Sequence, residues 1–515
     1  MYMSVTLTLN SQRFPPRINT ISVELLSLIF RFSRAKPWPH LGTVDLHRQN
    51  LSIVPLSAVC RLWRDVAIGD AVLWCNIAFS TSRSSTIRCA AEFLRRSRGA
   101  MITVQIFDIR SPISYNKEAC DLIDGIAQQS DRIAKFEAVG LSPSIAEGLV
   151  YPARNLVHLA INGHGAEELP LIFDGRMPRL KRLTLSNPTG WRLRAFQDVI
   201  RVDLVGSGTR IRLSSLTDFL CGATNLEQLF LSRIWDSKSE RRKMSLMPIA
   251  LPSLLQLRIS HCNAPRILEC LELSPSTRVS ILADYDPNNL HILHYLQSEG
   301  NFRHRLYDTR SLSVVLHPTN DDFHLVTRQS DDEPACFLQV YDDRERLDER
   351  WVLRSVDAIT RFKPFFHIKK LTISVESCSV PWRQWLPRLD HLVSADVCSA
   401  DVAGLVLALS RVHPRHGGPV CPSLRYFSIE RKGCGPASDS SILKLCLLAR
   451  SQAGHPISWL KFRSWDWTLI DQTDLGWKVL IRSQGRFCVF SVFVYIRLIH
   501  YPETTDGATA IFMNN

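Results

Sequence analysis

The chain has 515 residues, 62 Lys and Arg against 49 Asp and Glu, and a net charge of +13. Hydrophobic residues make up 45% and charged residues 22%, a balance of folded globular proteins that excludes a long disordered polypeptide. The length exceeds what one compact core organises, so the expectation is two domains, or a small domain followed by an elongated array.

Residues 1–17 contain Pro15-Pro16 and read as a loose leader. On a helix at about 100° per residue, Ser22 to Phe32 gathers Glu24, Ser27 and Arg31 on one narrow strip. Val23, Leu25, Leu26, Leu28, Ile29, Phe30 and Phe32 fill an arc of about 220°. A second helix from Leu56 to about Ala67 repeats the pattern: Ser57, Arg61, Arg64 and Asp65 oppose Leu56, Val59, Cys60, Leu62, Trp63 and Val66. Two short helices, each apolar over more than half its surface, exceed what a domain of about 60 residues can cover, and a partner surface is the remedy.

The run Ile21, Ser22, Val23, Glu24, Leu25, Leu26, then Ile29 and Phe30, then Leu56, Val59, Cys60, Arg61, Trp63, Arg64 and Ala67, closed by Leu73, Trp74 and Ile77, resembles an F-box. That family's pattern is roughly Leu-Pro-x-Glu-Leu-Leu, a helix, Val-Cys-Arg-x-Trp-Arg and a closing Leu-Trp. The resemblance implies an all-α domain over 18–80 that binds the small Skp-type adaptor, and through it a cullin and a RING ligase. It implies adaptor contacts at Ile21, Ser22, Glu24, Leu25, Leu26, Ile29, Phe30, Leu56, Val59, Cys60, Trp63, Leu73 and Trp74. Ser22 departs from the family's Pro, but its hydroxyl can cap the helix. An insert at 33–53, with Lys36-Pro37-Trp38-Pro39-His40, reads as an extended exposed loop.

Beyond the polar turn Ser80 to Ser85, a helix is expected over Thr86 to Arg96 with Ile87, Ala90, Ala91 and Leu94 inward. A strand follows over Met101 to Phe107, then a helix over Lys117 to Gln129 and a strand over Ile133 to Val139. Arg95, Arg96 and Arg98 suit the dipole at a helix end better than a phosphate site. Residues 1–115 carry a balance of +8, which suits an acidic protein partner as well as a polyanion.

A spaced apolar triplet then recurs: Leu156, Leu159, Ile161; Leu180, Leu183, Leu185; Val199, Val202, Leu204; Leu226, Leu229, Leu231; and Leu254, Leu257, Ile259. It returns at Thr309, Leu312, Val314; Ile368, Leu371, Ile373; Leu424, Phe427, Ile429; and Ile457, Leu460, Phe462. The leads to Leu180, Leu254 and Leu424 share a Pro two residues ahead. These spacings fall in or near the leucine-rich-repeat range, in which each unit offers one short parallel strand and a helical return, and no unit buries its apolar edge alone. The expected fold class is therefore α/β: a small N-terminal all-α F-box domain followed by an irregular leucine-rich-repeat-like solenoid over 81–485, with helical returns such as Leu216 to Cys221 and Ile267 to Leu271.

Ten acidic residues between Asp321 and Glu349 mark 318–350 as a solvated excursion from the array, with Ala335 to Tyr341 as a strand. His413 to Pro422 reads as a loop in which His413, His416 and Cys421 lack a fourth metal partner. Trp459, Trp465, Trp467 and Trp477 are expected to seal the last repeat. Residues 486–515 read as a C-terminal strand and a frayed tail; the apolar run Phe487 to Ile499 is too short for a membrane span.

The fourteen cysteines include no CxxC, and with no secretory signal pattern they read as reduced, mostly buried thiols of a cytoplasmic or nuclear protein. G-x-S-x-G, phosphate-loop, H-E-x-x-H and G-x-G-x-x-G motifs are missing, so no enzyme, cofactor or metal is expected. The leading expectation is a substrate-recognition subunit of an SCF-type E3 ubiquitin ligase, with the substrate protein unidentified. The alternative is a non-catalytic repeat scaffold with a degenerate F-box. A basic nucleic-acid-associated protein ranks last, and a membrane partner is not expected.

Overall fold

The computed structural model describes residues 21–33, 53–107, 117–141, 143–163, 172–186, 198–206, 213–233, 248–262, 264–284, 292–295, 306–317, 322–329, 334–341, 347, 349–375, 380–399, 401–414, 417–431, 438–463, 480–482 and 493–497. The leader, most of the 33–53 insert, residues 503–515 and Trp465, Trp467 and Trp477 lie outside them. The chain divides into two units, 1–211 and 212–515, of mixed α/β class with mostly parallel strands.

The first unit opens with α1 (Val23–Ser33), α2 (Ile53–Ala58) and α3 (Arg61–Gly69), then a 3-10 turn, Ala71–Trp74. The single second helix expected from the sequence is two helices. Cys60 is extended (φ −155°, ψ 175°) and its Sγ accepts from the Trp63 N–H at 3.5 Å, so it caps α3 rather than continuing α2. Arg64 ties the two together by donating from Nε to the Ser57 carbonyl at 3.1 Å.

Six parallel strands follow, paired in chain order: β1 (Asn76–Ser80), β2 (Ile102–Phe107), β3 (Ile133–Leu141), β4 (His158–Gly163), β5 (Arg182–Ser186) and β6 (Arg201–Val205). Their register lines up Ile77, Val104, Phe136, Leu159, Leu183 and Val202 in one row across the sheet, each with no solvent exposure. A residue sealed to that degree contributes about 1.5–3 kcal/mol, and none of these strands is long enough to cover its own apolar edge. Helices α4 (Ser84–Arg96), α5 (Lys117–Ala127) and α6 (Pro143–Gly148) supply the returns. On α4 the inward residues are Ile87, Ala90, Phe93 and Leu94; Ala91, expected inward, is exposed. Phe93 replaces it by packing edge-on against Trp74 at 4.9 Å. The arginine cluster is structural: Arg95 and Arg96 bond Glu92, and the Arg96 guanidinium lies 4.3 Å from the Trp74 ring centroid.

In the second unit, after α7 (Leu213–Gly222), strands β7 (Gln228–Ser232), β9 (Gln256–Ser260) and β11 (Arg278–Asp284) pair in parallel, while β8 (Ile249–Leu251) and β10 (Leu271–Leu273) form a separate parallel pair flanking α8 (Ala264–Glu269). The triplet positions are the core. Leu226, Leu229, Leu231, Leu254, Leu257 and Ile259 are at most 1% exposed. The repeated proline has a local cause. Leu180, Leu254 and Leu424 close turns by donating to the carbonyls of Met177, Leu251 and Cys421, which places Pro178, Pro252 and Pro422 at the second turn position, where a fixed φ near −65° fits.

Of the 318–350 segment, the described strands are part of the sheet rather than a solvated excursion. β12 (Ser311–His317), β13 (Asp322–Arg328) and β14 (Pro334–Tyr341) form an antiparallel meander whose outer strands pair in parallel with β15 (Lys370–Val375) and β11. Phe323, Leu325, Leu338 and Val340 have no exposure, and Phe323 packs edge-on against Trp351 of α9 (Glu349–Arg361). In sequence the segment's acidic residues fall mostly before, between and after β13 and β14, which concealed the alternation of β13, while β14 lies on the strand expected over Ala335 to Tyr341. Parallel pairing then continues through β16 (Ser394–Ser399), β17 (Tyr426–Arg431) and β18 (Trp459–Arg463), and β20 (Phe493–Arg497) closes antiparallel against β18 and against β19 (Leu480–Arg482).

Helices α10 (Trp382–Trp385), α11 (Val402–Leu409) and α12 (Ser438–Gln452) pack in this unit. Trp459 is half-exposed beside Tyr426, whereas Trp351, Trp382 and Trp385 are the sealed indoles. His413 is buried against the Pro387 carbonyl, and Cys421 donates from Sγ to Leu386, so both pack on one turn. Burial pushes the Cys421 thiol up to about 12, so it stays protonated.

Phe323→Ala should lower the stability of the second unit by about 3–5 kcal/mol, read as a shift of its urea midpoint. An excursion outside the core would leave the midpoint unmoved.

Candidate docking surface on the N-terminal helices

The first helix starts as its sequence dictates. Ser22 precedes it, its hydroxyl accepts from the Leu25 N–H at 3.4 Å, and its carbonyl takes the first helical bond from Leu26 at 2.9 Å. Glu24 sits in the first turn, its carboxyl held below the ordinary value by a backbone hydrogen bond and by the Ser22 hydroxyl.

The rotation of α1 about its axis decides what it presents. Leu26 and Phe30, one turn apart, are sealed inside, and Phe30 meets the Trp63 ring edge-on at 5.0 Å. On the neighbouring strip the Ser27 hydroxyl donates to Asp70, and the Arg31 guanidinium donates to both Asp70 oxygens, at 2.8 and 3.0 Å. Asp70 also accepts from the Val72 N–H at 3.1 Å and so caps the 3-10 turn. The polar strip is thus turned partly inward. What remains outside is Leu25, Leu28, Ile29 and Phe32, spaced i, i+3, i+4, i+7, with Leu25 56% and Phe32 84% exposed. Val23, Val54, Val59 and Val72 are exposed as well.

The residues expected to meet a partner therefore separate by burial. Ser22, Glu24, Leu25, Ile29 and Val59 are exposed, and Ile21, Leu56, Cys60 and Trp63 are intermediate. Leu26, Phe30, Leu73 and Trp74 are at most 2% exposed and belong to the core of the first unit. The Trp74 indole N–H donates internally to the Ala67 carbonyl at 2.7 Å. The Trp63 indole N–H is buried and finds no acceptor among the described residues. Leu28 and Phe32, absent from the expected contact set, complete the exposed stripe; the i, i+3, i+4, i+7 spacing from Leu25 was the signal for them.

The surface offers shape and apolar area rather than chemistry. Among the described residues, no group of three or more His, Cys, Asp or Glu is placed to hold a metal ion, and no helix is long and apolar enough to cross a membrane. Compared with protein-family models and with curated proteins, the chain matches none.

Asp70 carries the test of this geometry. Burial pushes its carboxyl up, but the bonds from Arg31, Ser27 and Val72 outweigh burial and hold it below the ordinary carboxylate value. Its stabilisation is therefore complete above that ordinary value and is lost as pH falls through the depressed one. Asp70→Asn should reduce the opening free energy of the α1 amides by about 1–3 kcal/mol in hydrogen exchange at neutral pH, with much less difference from wild type in strong acid.

Proposed function

We propose that the chain is a substrate-recognition subunit of an SCF-type ubiquitin ligase, with an F-box-like helical domain that docks a Skp-type adaptor and a repeat-built α/β array that holds a substrate protein. The observation that carries this reading is the exposed apolar stripe of Leu25, Leu28, Ile29 and Phe32. A stripe with helical spacing facing water is a liability in an isolated chain and matches the surface by which an amphipathic helix enters a partner's groove. Arg31 and Arg61 are exposed nearby, in a segment that is net positive, which suits an adaptor with an acidic face.

In this reading the chain performs no bond chemistry. It raises the concentration of a substrate lysine near a ubiquitin-charged enzyme brought by the cullin and RING subunits, and effective concentration rather than catalysis is its contribution. The recurrent triplets of short parallel strands support a leucine-rich-repeat-like array for the substrate-holding part.

A second reading, a protein-interaction scaffold with a degenerate F-box, draws support from Ser22 in place of the family's proline and from the long insert at 33–53. Adaptor binding separates the two. The double variant Leu25→Ala with Phe32→Ala should weaken capture of a purified Skp-type adaptor by about a hundredfold or more while the circular dichroism spectrum stays unchanged, since central exposed anchors dominate such interfaces. Full-strength capture by the double variant, or no capture by the wild type, favours the scaffold. Trp63→Ala is the poorer probe, because Trp63 packs on Phe30 and its loss disturbs the core.

A further inference from the structure

The opposite, polar face of the first unit's sheet carries a charge pattern that neither folding nor the helical stripe accounts for. Register places Lys135, His158, Arg182 and Arg201 side by side on β3, β4, β5 and β6. Adjacent strands lie about 4.8 Å apart, so four basic side chains stand in a row roughly 14 Å long. Like charges directly opposite one another destabilise a sheet, so the neighbouring Arg182 and Arg201 disfavour each other when the face is empty.

The row is compensated only at its ends. The Lys135 ammonium is 2.7 Å from a Glu137 oxygen, and Arg201 Nε is 3.1 Å from an Asp203 oxygen, each partner lying two residues along the same strand. At the centre, the exposed Arg182 side chain has no ion pair or hydrogen bond among the described residues. Burial, then the neighbouring Lys135, holds the His158 imidazole below its ordinary value; Arg182 acts in the same sense, and Glu137 and Asp203 oppose.

We propose that this face binds an extended acidic peptide of a protein substrate, its carboxylates seated on the Lys135–His158–Arg182–Arg201 row and centred on Arg182. Charge complementarity selects that occupant. The next row on the same face holds Glu137, Ala160, Thr184 and Asp203, so cations alternate with carboxylates and hydroxyl groups two residues further on. A peptide supplies both requirements, carboxylates for one row and backbone N–H donors for the other. A nucleic-acid backbone, charged at every unit, meets Glu137 and Asp203 with repulsion. Four strands across an extended chain correspond to about four or five residues of peptide.

This inference rests on reading the sheet as the substrate-holding surface, but not on adaptor docking. The test is fluorescence anisotropy of the full chain with a fluorescein-labelled nonapeptide of alternating Glu and Ala, beside its Gln-for-Glu twin and a single-stranded homopolymeric RNA. The acidic peptide should bind and the twin should not, with affinity falling as salt rises. Arg182→Glu should weaken binding by about tenfold or more and Arg182→Ser by less, whereas Arg88→Glu on α4 should change nothing. Equal binding of the twin, indifference to Arg182→Glu in a chain with unchanged circular dichroism, or RNA binding tighter than the peptide would overturn the proposal. Leu25→Ala with Phe32→Ala should leave peptide binding intact, so failure of the adaptor reading is seen separately from failure of this one.

Discussion

Three contacts fix how the first helix is turned. Leu26 and Phe30 are driven inside, and Asp70 takes hydrogen bonds from Ser27 and Arg31 on the adjoining strip. Helical geometry then determines the rest: a helix held along two neighbouring strips must present the third, and here the third is Leu25, Leu28, Ile29 and Phe32. A partly buried carboxylate with three donors is a strong and directional restraint. It orients an apolar surface toward water, an arrangement that costs an isolated chain solubility and that a partner relieves.

The sheets follow a different logic. Each strand is too short to bury itself, and stability comes from rows that run across neighbours, such as Ile77 through Val202 in the first unit. One face is thereby consumed by the core. The other is left to polar side chains whose identity packing does not dictate, which is where recognition can vary without cost to the fold. The proline-led turns before Leu180, Leu254 and Leu424 set the start of each strand and hence which residues fall on which face.

Much of this was legible in the residues because apolar period and turn chemistry are local. Every described member of the spaced triplets is buried, including Thr309 at the head of one of them. Strands β16 and β11 escaped notice for a physical reason: β16 carries the small Ala395 and β11 follows the polar Ser276 and Thr277, where a search for large aliphatics looks past them, yet Ala395, Thr277 and Val279 are core. Strand β13 escaped because charge at its ends outweighed the alternation Phe323, Leu325, Thr327 inside, whereas β14 falls on the strand expected over Ala335 to Tyr341. The exposed stripe was only half legible. An apolar arc of about 220° says that some residues must remain uncovered; which ones depends on Asp70, nearly forty residues along the chain from Arg31, a contact no periodicity contains. The break at Cys60 has the same character, since an extended residue between two helix-forming segments leaves little trace in composition.

The most direct test places a photo-crosslinking phenylalanine at position 32 of the full chain in living cells and identifies what is captured on irradiation. The account predicts a covalent adduct with a Skp-type adaptor, lost when Leu25 is also replaced by Ala. Capture of unrelated proteins alone, or no adduct from a residue as exposed as Phe32, would contradict it.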